Sequence, residues 1–236
     1  GCCFGVKRAL DIAVETRRNY EGPVYTLGPL IHNPGVIEEL EGIGIRMIPD
    51  LSLAKPGGII IIRSHGVGPD IFRIAKEGGL QIIDATCPFV KHEQNLAISL
   101  FQEGYEVVVV GDREHAEVSA VVEHLQGRAK VIGVKDLPLL EEQTFSPRVG
   151  IVCQTTQSQE NLYQVVAAIL PLVKELKIHN TICNATDQRQ SEVYKLATQS
   201  DVLLVVGGKN SANTRHLAEI GAPSVPTYHI ERIDEI

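Results

Sequence analysis

The segment VVVVGDREHAEV, residues 107–118, contains four consecutive valines, a glycine and then a run of mostly polar residues. A short apolar run that ends in glycine is typical of a buried strand in a parallel sheet, followed by a tight turn into a helix. Two other segments follow the same pattern, VYTLG at 24–28 and VLLVVG at 202–207. The polar residues four positions after the three glycines are His32, His115 and Ser211. The sequence therefore predicts one unit that is repeated three times.

A cysteine precedes each of these strands at a nearly constant distance. The cysteines stand 24 or 25 residues before the glycines, and they are Cys3, Cys87 and Cys183. A helical pattern follows each cysteine, over residues 5–16, 90–102 and 187–199. The repeat places the three thiols at equivalent positions around a pseudo-threefold axis, so we expect them to converge on one point.

The remaining elements alternate between strands and helices. Second helices are predicted at 34–40, 117–125 and 212–220. Further strands are predicted at 57–66 and 148–156, each followed by a helix and a strand that leads to the next cysteine, at 80–87 and 178–183. This alternation indicates α/β units with right-handed crossovers, in which ligands bind beyond the carboxyl ends of the strands.

We therefore predict three pseudo-symmetric α/β modules with mostly parallel sheets around a central cavity, a trefoil-like arrangement. The modules comprise residues 14–86, residues 87–182, and residues 183–236 together with 1–13. Counterparts of His65 and Thr155 in the third unit would fall beyond position 236, so we expect its C-terminal end to be incomplete.

The composition restricts the class of protein. With 44% hydrophobic and 22% charged residues, the 236-residue chain is typical of a soluble globular protein. No apolar run approaches the roughly 18 residues that span a bilayer, and no secretory signal is present. The net charge of −7 argues against a nucleic-acid surface. The five cysteines form an odd set with wide gaps, which favours a reducing compartment, so we expect a cytoplasmic protein with neither membrane nor nucleic-acid partners.

Three converging thiolates indicate a metal site with one ligand position left open. Zinc sites usually contain closely spaced cysteine pairs, which this sequence lacks. An iron–sulfur cluster on three cysteines would leave one iron free, and this is the favoured interpretation, with zinc as the alternative. Cys153 lies in the apolar stretch RVGIVC and is predicted to be a core residue, whereas Cys2 stands outside the repeat.

The polar residues after the strands are candidates for binding an anion. Imidazole, hydroxyl and amide groups can donate hydrogen bonds to a phosphate-type ligand, and these residues are His32, His65, His115, Ser211 and Asn213. Glu117, taken alone, is best interpreted as a first-turn acid that the helix dipole stabilises. In a closed pocket beside a cluster it could instead donate a proton, and Thr155 could orient a substrate hydroxyl.

Eight motifs, in order along the whole chain, resemble one enzyme family. They are GCCFGVKRAL, LIHNPGVIEEL, RSHGV, DATCPFVKHEQ, EHAEV, CQTTQS, TICNATDQRQ and GGKNSANTRHL. The family is that of the 4-hydroxy-3-methylbut-2-enyl diphosphate reductases, which complete the methylerythritol phosphate route to isoprenoids.

The resemblance implies a fold, a cofactor and a reaction. Three α/β modules would surround a 4Fe–4S cluster with one open iron, held by the cysteines that match Cys3, Cys87 and Cys183. Reductive dehydroxylation of the allylic diphosphate would give isopentenyl and dimethylallyl diphosphates, with electrons from ferredoxin or flavodoxin. The residues matching the diphosphate contacts are His32, His65, His115, Ser211, Ala212 and Asn213. The catalytic set matches Glu117 as the acid, with Thr155 and His115.

Three departures from the family pattern are evident. Ala212 replaces a serine and removes one hydroxyl from the expected phosphate site, and Ala116 replaces a proline. A final glycine-alanine-serine segment would follow position 236, and its loss is expected to weaken substrate binding. Two alternatives are a cluster dehydratase similar to quinolinate synthase, and a non-catalytic iron–sulfur sensor or electron carrier. The EHAEV and KNSAN motifs favour the reductase.

Overall fold

The computed structural model describes residues 2–235, apart from the side chain of Glu141. The α-helices are α1 (Phe4–Asn19), α2 (Pro34–Gly42), α3 (Pro69–Glu77), α4 (Pro88–Gln102), α5 (Ala116–His124), α6 (Gln159–Ile169), α7 (Asn184–Ala197) and α8 (Ala212–Gly221). The strands are β1 (Val24–Leu27), β2 (Ile45–Ile48), β3 (Ile59–Ile62), β4 (Gln81–Asp84), β5 (Glu106–Val110), β6 (Lys130–Ile132), β7 (Arg148–Cys153), β8 (Glu175–Ile178), β9 (Leu203–Val206) and β10 (Thr227–Ile230).

The strands form three sheets in which every pairing is parallel. The first sheet has the order β2-β1-β3-β4, and the second has the equivalent order β6-β5-β7-β8. Over the described part of the chain the third sheet pairs β10 with β9, which correspond to β2 and β1. The predicted α/β class with parallel sheets is therefore confirmed.

One type of backbone hydrogen bond recurs in all three units and demonstrates the threefold repeat. The glycine after the first strand of each unit donates its N–H to the isoleucine that ends the neighbouring strand. The three bonds join Gly28 to Ile48 at 2.8 Å, Gly111 to Ile132 at 3.2 Å, and Gly207 to Ile230 at 3.0 Å. The three strand ends are therefore built in the same way.

The helix that follows each cysteine packs on the sheet that comes after it. Ala97 and Leu100 of α4 belong to a core cluster of the second sheet. Ala9 and Ala13 of α1 likewise lie in the core of the first sheet, with Val24 and other strand residues. This packing places the buried face of α1 on the first sheet, and the assignment of residues 1–13 to the third module stays a prediction that these contacts do not support. The other module boundaries stay predictions, and their two ends, at positions 1 and 236, lie outside the described residues.

Two details of the strands differ from the prediction. The strand expected at 178–183 ends at Ile178, because Thr181 and Asn180 form side-chain bonds there in place of a ladder. The hydroxyl of Thr181 accepts the Cys153 N–H at 2.8 Å, and Asn180 accepts the Ile182 N–H at 3.2 Å. The edge strands β2, β6 and β10 were not predicted, since each is only three or four residues long.

Contacts join the three sheet units in pairs around the cavity. The Gly68 N–H donates to Glu123 at 2.9 Å and so connects the first unit to the second. Arg215 forms an ion pair with Asp112 between the third and second units. Gly208 of the third unit lies against the first, where a Cβ would stand 2.3 Å from the carbonyl oxygen of His32. These contacts enclose the space between the units.

Within residues 2–235, none of the helices combines the length and the apolar character needed to cross a membrane.

Candidate active site

A cavity of about 570 Å³ lies where the three units meet, at the carboxyl ends of their strands. Its walls include every site residue predicted from the sequence: Cys3, Cys87, Cys183, His32, His65, His115, Glu117, Thr155, Ser211, Ala212 and Asn213. The structure thus brings together residues that are up to 210 positions apart in the sequence. Their individual roles stay predictions.

Each of the three cysteines is the N-cap of a helix. Cys3 precedes α1, Cys87 precedes α4 and Cys183 precedes α7, each with an extended or near-extended backbone. The thiols are free and partly exposed to the cavity. Backbone N–H groups and the positive end of the helix dipole face a sulfur at this position, which favours a negatively charged thiolate.

The sulfur atoms of Cys3 and Cys87 lie on the same side of Gly5. A Cβ on Gly5 would stand 2.6 Å from the Cys87 Sγ and 4.0 Å from the Cys3 Sγ. A glycine at this position therefore leaves room for the two thiols to approach each other. The Cys183 sulfur accepts a hydrogen bond from the Thr186 N–H at 3.4 Å.

Burial raises the pKa of the Cys87 thiol, although hydrogen bonds from the backbone of Phe89 and Val90 oppose this shift, and the Cys3 and Glu117 charges raise the pKa further. A bound cation is the largest charge in such a site and deprotonates the thiols that coordinate it, including one with a raised pKa such as Cys87. Three free thiols at helix N-termini around one cavity therefore fit a metal–sulfur cofactor.

The three predicted histidines form a cluster on another wall of the cavity. The ring centroids of His32 and His65 are 4.4 Å apart, and that of His115 is 5.8 Å and 5.4 Å from them. Three buried polar atoms here have no hydrogen-bond partner among the described residues: His32 Nε2, His65 Nδ1 and Asn213 Oδ1. Buried polar atoms are rarely left unpaired, so these atoms indicate a polar ligand.

Ring nitrogens of the three histidines lie within 4.8 Å of one another, a spacing that also suits a metal cation. Two capping bonds favour an anion instead. His115 Nδ1 accepts the N–H of Glu117 at 3.3 Å, which leaves the proton on Nε2. The hydroxyl of Ser211 accepts the N–H of Thr214 at 3.3 Å, which leaves its own proton free to donate. Both N-caps thus supply donors at helix N-termini, where anions bind.

In the first unit the N-cap of α2 is Asn33, whose side chain accepts the Val36 N–H at 3.3 Å. His32, four residues after the repeat glycine like His115, is therefore one position before the cap. The spacing that predicted equivalent residues holds in sequence but not in helix position.

The histidines are neutral in the unliganded cavity. Burial lowers the pKa of His115 to about 4, and the neighbouring His32, Arg215 and Arg63 lower it too, against a smaller opposing effect of Asp112. Burial also lowers the pKa values of His32 and His65, with a further contribution from the Arg63 cation. Neutral imidazoles offer one N–H each, which suits donation to an anion.

Glu117 lies deep in the cavity wall, with 2% of its surface exposed. Its carboxylate accepts the backbone N–H of Thr155 at 2.5 Å and the Thr155 hydroxyl at 2.9 Å. Burial raises the pKa of Glu117, whereas the hydrogen bonds that it receives lower it. A carboxyl group with a raised pKa beside a ligand cavity is suited to general-acid chemistry.

A larger cavity of about 790 Å³ lies on the other side of Arg63, between the first and second units. It is lined by residues such as Gly28, Leu51 and Glu123 and by no cysteine or histidine. The chemistry-bearing side chains therefore identify the smaller cavity as the functional one.

The whole chain matches one family model, that of the LytB protein, over residues 1–236. The chain belongs to the LytB family. Relatives named 4-hydroxy-3-methylbut-2-enyl diphosphate reductase include those of Citrifermentans bemidjiense and Aquifex aeolicus, each 45% identical to this chain over 238 residues. These alignments cover 100% of this chain and 83% and 82% of the relatives. The reductase of Pelobacter propionicus is 47% identical over 241 residues.

Two solved structures resemble this LytB chain. One is (E)-4-hydroxy-3-methyl-but-2-enyl diphosphate reductase, the terminal enzyme of the non-mevalonate pathway, with 44% identity and a TM-score of 0.75. It is matched over 84% of its length. The other is the E-1-hydroxy-2-methyl-but-2-enyl-4-diphosphate reductase from Plasmodium falciparum, with 28% identity, a TM-score of 0.91 and 75% of its length covered. The family and the reductase class predicted from the motifs are confirmed, and the alternative classes are not supported.

The sequence did not identify Arg63, which lines the larger cavity of this LytB chain, as a charged neighbour of the histidine cluster. Burial lowers its pKa, and its charge in turn affects all three histidines. Its Nε donates a hydrogen bond to the Gly66 carbonyl at 3.4 Å. The motif RSHGV contains this residue, but an arginine at a strand end has no feature that separates it from a surface arginine until the fold is known.

Proposed function

We propose that this chain reduces 4-hydroxy-3-methylbut-2-enyl diphosphate to isopentenyl and dimethylallyl diphosphates. The reaction removes the substrate hydroxyl as water and consumes two electrons and two protons. The observation that carries the proposal is the single cavity in which three free cysteines face three histidines and a buried acid. The names of the relatives support the same substrate.

An iron–sulfur cofactor, a 4Fe–4S cluster with one open iron, would be held by Cys3, Cys87 and Cys183. Their convergence and their positions at helix N-termini support this ligand set. The cofactor would supply electrons to the substrate, and a one-electron donor such as ferredoxin or flavodoxin would reload it.

The diphosphate would lie against the histidine cluster. His115 Nε2–H and the Ser211 O–H would donate to it. In each residue the acceptor atom, Nδ1 or Oγ, already caps a helix by accepting a backbone N–H. The unpaired atoms of His32 and His65 give two further contacts, and Asn213 can turn its amide N–H₂ toward the ligand. Ala212 presents a methyl group at this wall, so one contact fewer is available than a serine would give.

Glu117 would protonate the departing hydroxyl oxygen. Thr155 holds the carboxyl in place with two hydrogen bonds, and both residues are almost fully buried, at 2% and 5% exposed. These bonds stabilise the carboxylate that remains after proton transfer. Burial keeps bulk water away from the acid, so the proton goes to the bound substrate.

The cofactor part is tested with two neighbouring cysteines, in anaerobically purified protein. Cys3→Ser is expected to lose iron and sulfide, whereas Cys2→Ser, one position away, is expected to retain both. Equal iron and sulfide contents in the two variants would contradict the ligand set.

The catalytic part is tested with Glu117→Gln at matched iron content. Product formation, measured by mass spectrometry with a chemical reductant, is expected to fall about 10²–10⁴-fold, the usual contribution of a general acid. Wild-type protein with a full cluster that forms neither product would refute the proposed reaction. Normal turnover by Glu117→Gln would refute only the role of the acid. The cytoplasmic location also stays a prediction.

A further inference from the structure

Glu93 is a buried acid that the proposed mechanism leaves unexplained. It lies on α4, the helix capped by Cys87, and 0% of its surface is exposed. It is not among the residues that line the cavity, so it stands behind the cavity wall. Among residues 2–235, no N–H or O–H group donates a hydrogen bond to either of its carboxyl oxygens. A buried charge in such a place is unfavourable, which indicates a neutral carboxylic acid.

The Glu93 carboxyl faces the Glu117 carboxyl, close enough for a hydrogen bond between them. Two ionised carboxylates offer only acceptors, so this bond exists only when one of the pair carries a proton. Thr155 donates two hydrogen bonds to Glu117 and none to Glu93, and the negative charge is therefore better stabilised on Glu117. The proton of the hydrogen bond belongs to Glu93.

The ionisable groups around the pair agree with this assignment. Burial raises the pKa of Glu93 well above its usual range, and the Glu117 charge raises it further. Cys153, at the end of β7, is within electrostatic range of both acids, and burial raises the pKa of its thiol. The charge of Glu117 also raises the pKa of Cys87 at the start of α4. No cation among the described residues has a resolved effect on the pKa of Glu93.

We propose that Glu93 is a positioning residue that stays protonated and donates a hydrogen bond to Glu117. This inference rests on the proposed function, since it concerns the acid of that reaction. The bond stabilises the Glu117 carboxylate that forms once the proton has left, and so makes Glu117 a stronger acid. Without it, Glu117 would sit in the same buried place with one donor residue instead of two.

Infrared spectroscopy tests the protonation state without any turnover. At a pH above the alkaline limb of kcat, where Glu117 is ionised, wild-type holoprotein is expected still to show the C=O band of a protonated, hydrogen-bonded carboxylic acid. The band is expected to disappear in Glu93→Gln and to persist, shifted in frequency, in Glu117→Gln. A wild-type spectrum without the band, or a band that Glu93→Gln leaves in place, would overturn the proposal even if the enzyme were fully active.

The pH profile of kcat tests the effect on Glu117. Glu93→Leu, which lacks a donor, is expected to move the descending alkaline limb upward by about one to two pH units, the usual worth of a hydrogen bond to a charged group. Glu93→Gln, which keeps an N–H donor, is expected to leave the limb near its wild-type position. Coincident limbs in all three proteins at equal iron content would overturn the proposal. If Glu93→Leu does not fold, the infrared experiment decides alone.

Discussion

The backbone carbonyl of Thr155 accepts the N–H of Cys183 at 3.0 Å, while the N–H and hydroxyl of the same threonine are donated to Glu117. One residue thus connects the proposed acid to a proposed cofactor ligand. The first unit contains an equivalent bond, in which the carbonyl of Ser64 accepts the Cys87 N–H at 2.9 Å. The backbones of Cys87 and Cys183 are therefore held by residues that directly follow strands and precede or include the polar site residues.

Thr155→Val tests the hydroxyl alone, because valine has nearly the same shape and leaves both backbone bonds in place. The Glu117 carboxylate would lose one of its donors, and we expect kcat to fall about 10- to 100-fold, as for a hydrogen bond to a charged group. Thr155→Ser keeps the hydroxyl and is expected to stay within a few-fold of wild type. Iron content should be unchanged in both variants. Loss of iron in Thr155→Val would show instead that the side chain shapes the cofactor site.

Gly5→Ala is expected to reduce cofactor content without removing a ligand. The added Cβ would stand 2.6 Å from the Cys87 Sγ, so the thiol must move away from Cys3. Alanine is otherwise favourable inside a helix, and the thermal midpoint should not fall much. Gly42→Ala is the matched control, since a Cβ there meets nothing within 4 Å. Equal iron per protein in the two variants, measured after anaerobic reconstitution, would argue against a close approach of these thiols.

Ser211→Asp separates the structural role of this residue from its binding role. Aspartate is as good an N-cap as serine, so α8 should keep its stability. The new carboxylate would repel the diphosphate, and the hydroxyl that donates to it would be lost. KM should therefore rise at least about tenfold. Ser158→Asp makes the same exchange at the N-cap of α6, away from the cavity lining, and should leave KM unchanged. If KM were the same in the two variants, Ser211 would not be a substrate-binding residue.

The depressed pKa of His115, about 4, predicts how stability varies with acidity. Between pH 6.5 and about 4 the unfolded chain binds a proton at this histidine that the folded chain does not, so the free energy of unfolding decreases as the pH falls. His32 and His65, whose pKa values are also lowered, add to the same trend. His115→Asn keeps a capping side chain but removes the titration. Urea unfolding at several pH values, at matched cofactor content and without substrate, should show a shallower slope for the variant. An identical slope would mean that the pKa of His115 is the same in the folded and the unfolded chain.

Much of the fold and of the cavity lining could be predicted from the sequence, because residues at the same position of each repeat are expected at equivalent places in the structure. The spacing of Cys3, Cys87 and Cys183 before their strands predicted a common site, and periodicity alone supplied the parallel sheets. Packing across units was not accessible. The placement of α1 on the first sheet depends on which face of the helix meets which surface, and the spacing of residues in the sequence does not encode this.

Two charged residues escaped prediction for a related reason. Arg63 and Glu93 each belong to a motif that was recognised, but their neighbours in space come from distant parts of the chain. Glu93 lies three residues after Val90 and four before Ala97, on the buried face of α4, but its charge alone would place it at the surface. Buried ionisable groups contradict the usual pattern of polar residues outside, so a pattern-based reading assigns them to the surface.

The glycine-to-isoleucine bond that recurs in all three units has a consequence for how such a pocket diverges. The bond fixes the backbone at each strand end through main-chain atoms and one glycine. The side chains a few positions later therefore need not hold the fold together. Over the same backbone bond, the first unit presents the imidazoles of His32 and His65, the second presents His115 and Glu117, and the third presents Ser211 and Asn213. An equal frame at three strand ends can therefore carry three different sets of functional groups into one cavity.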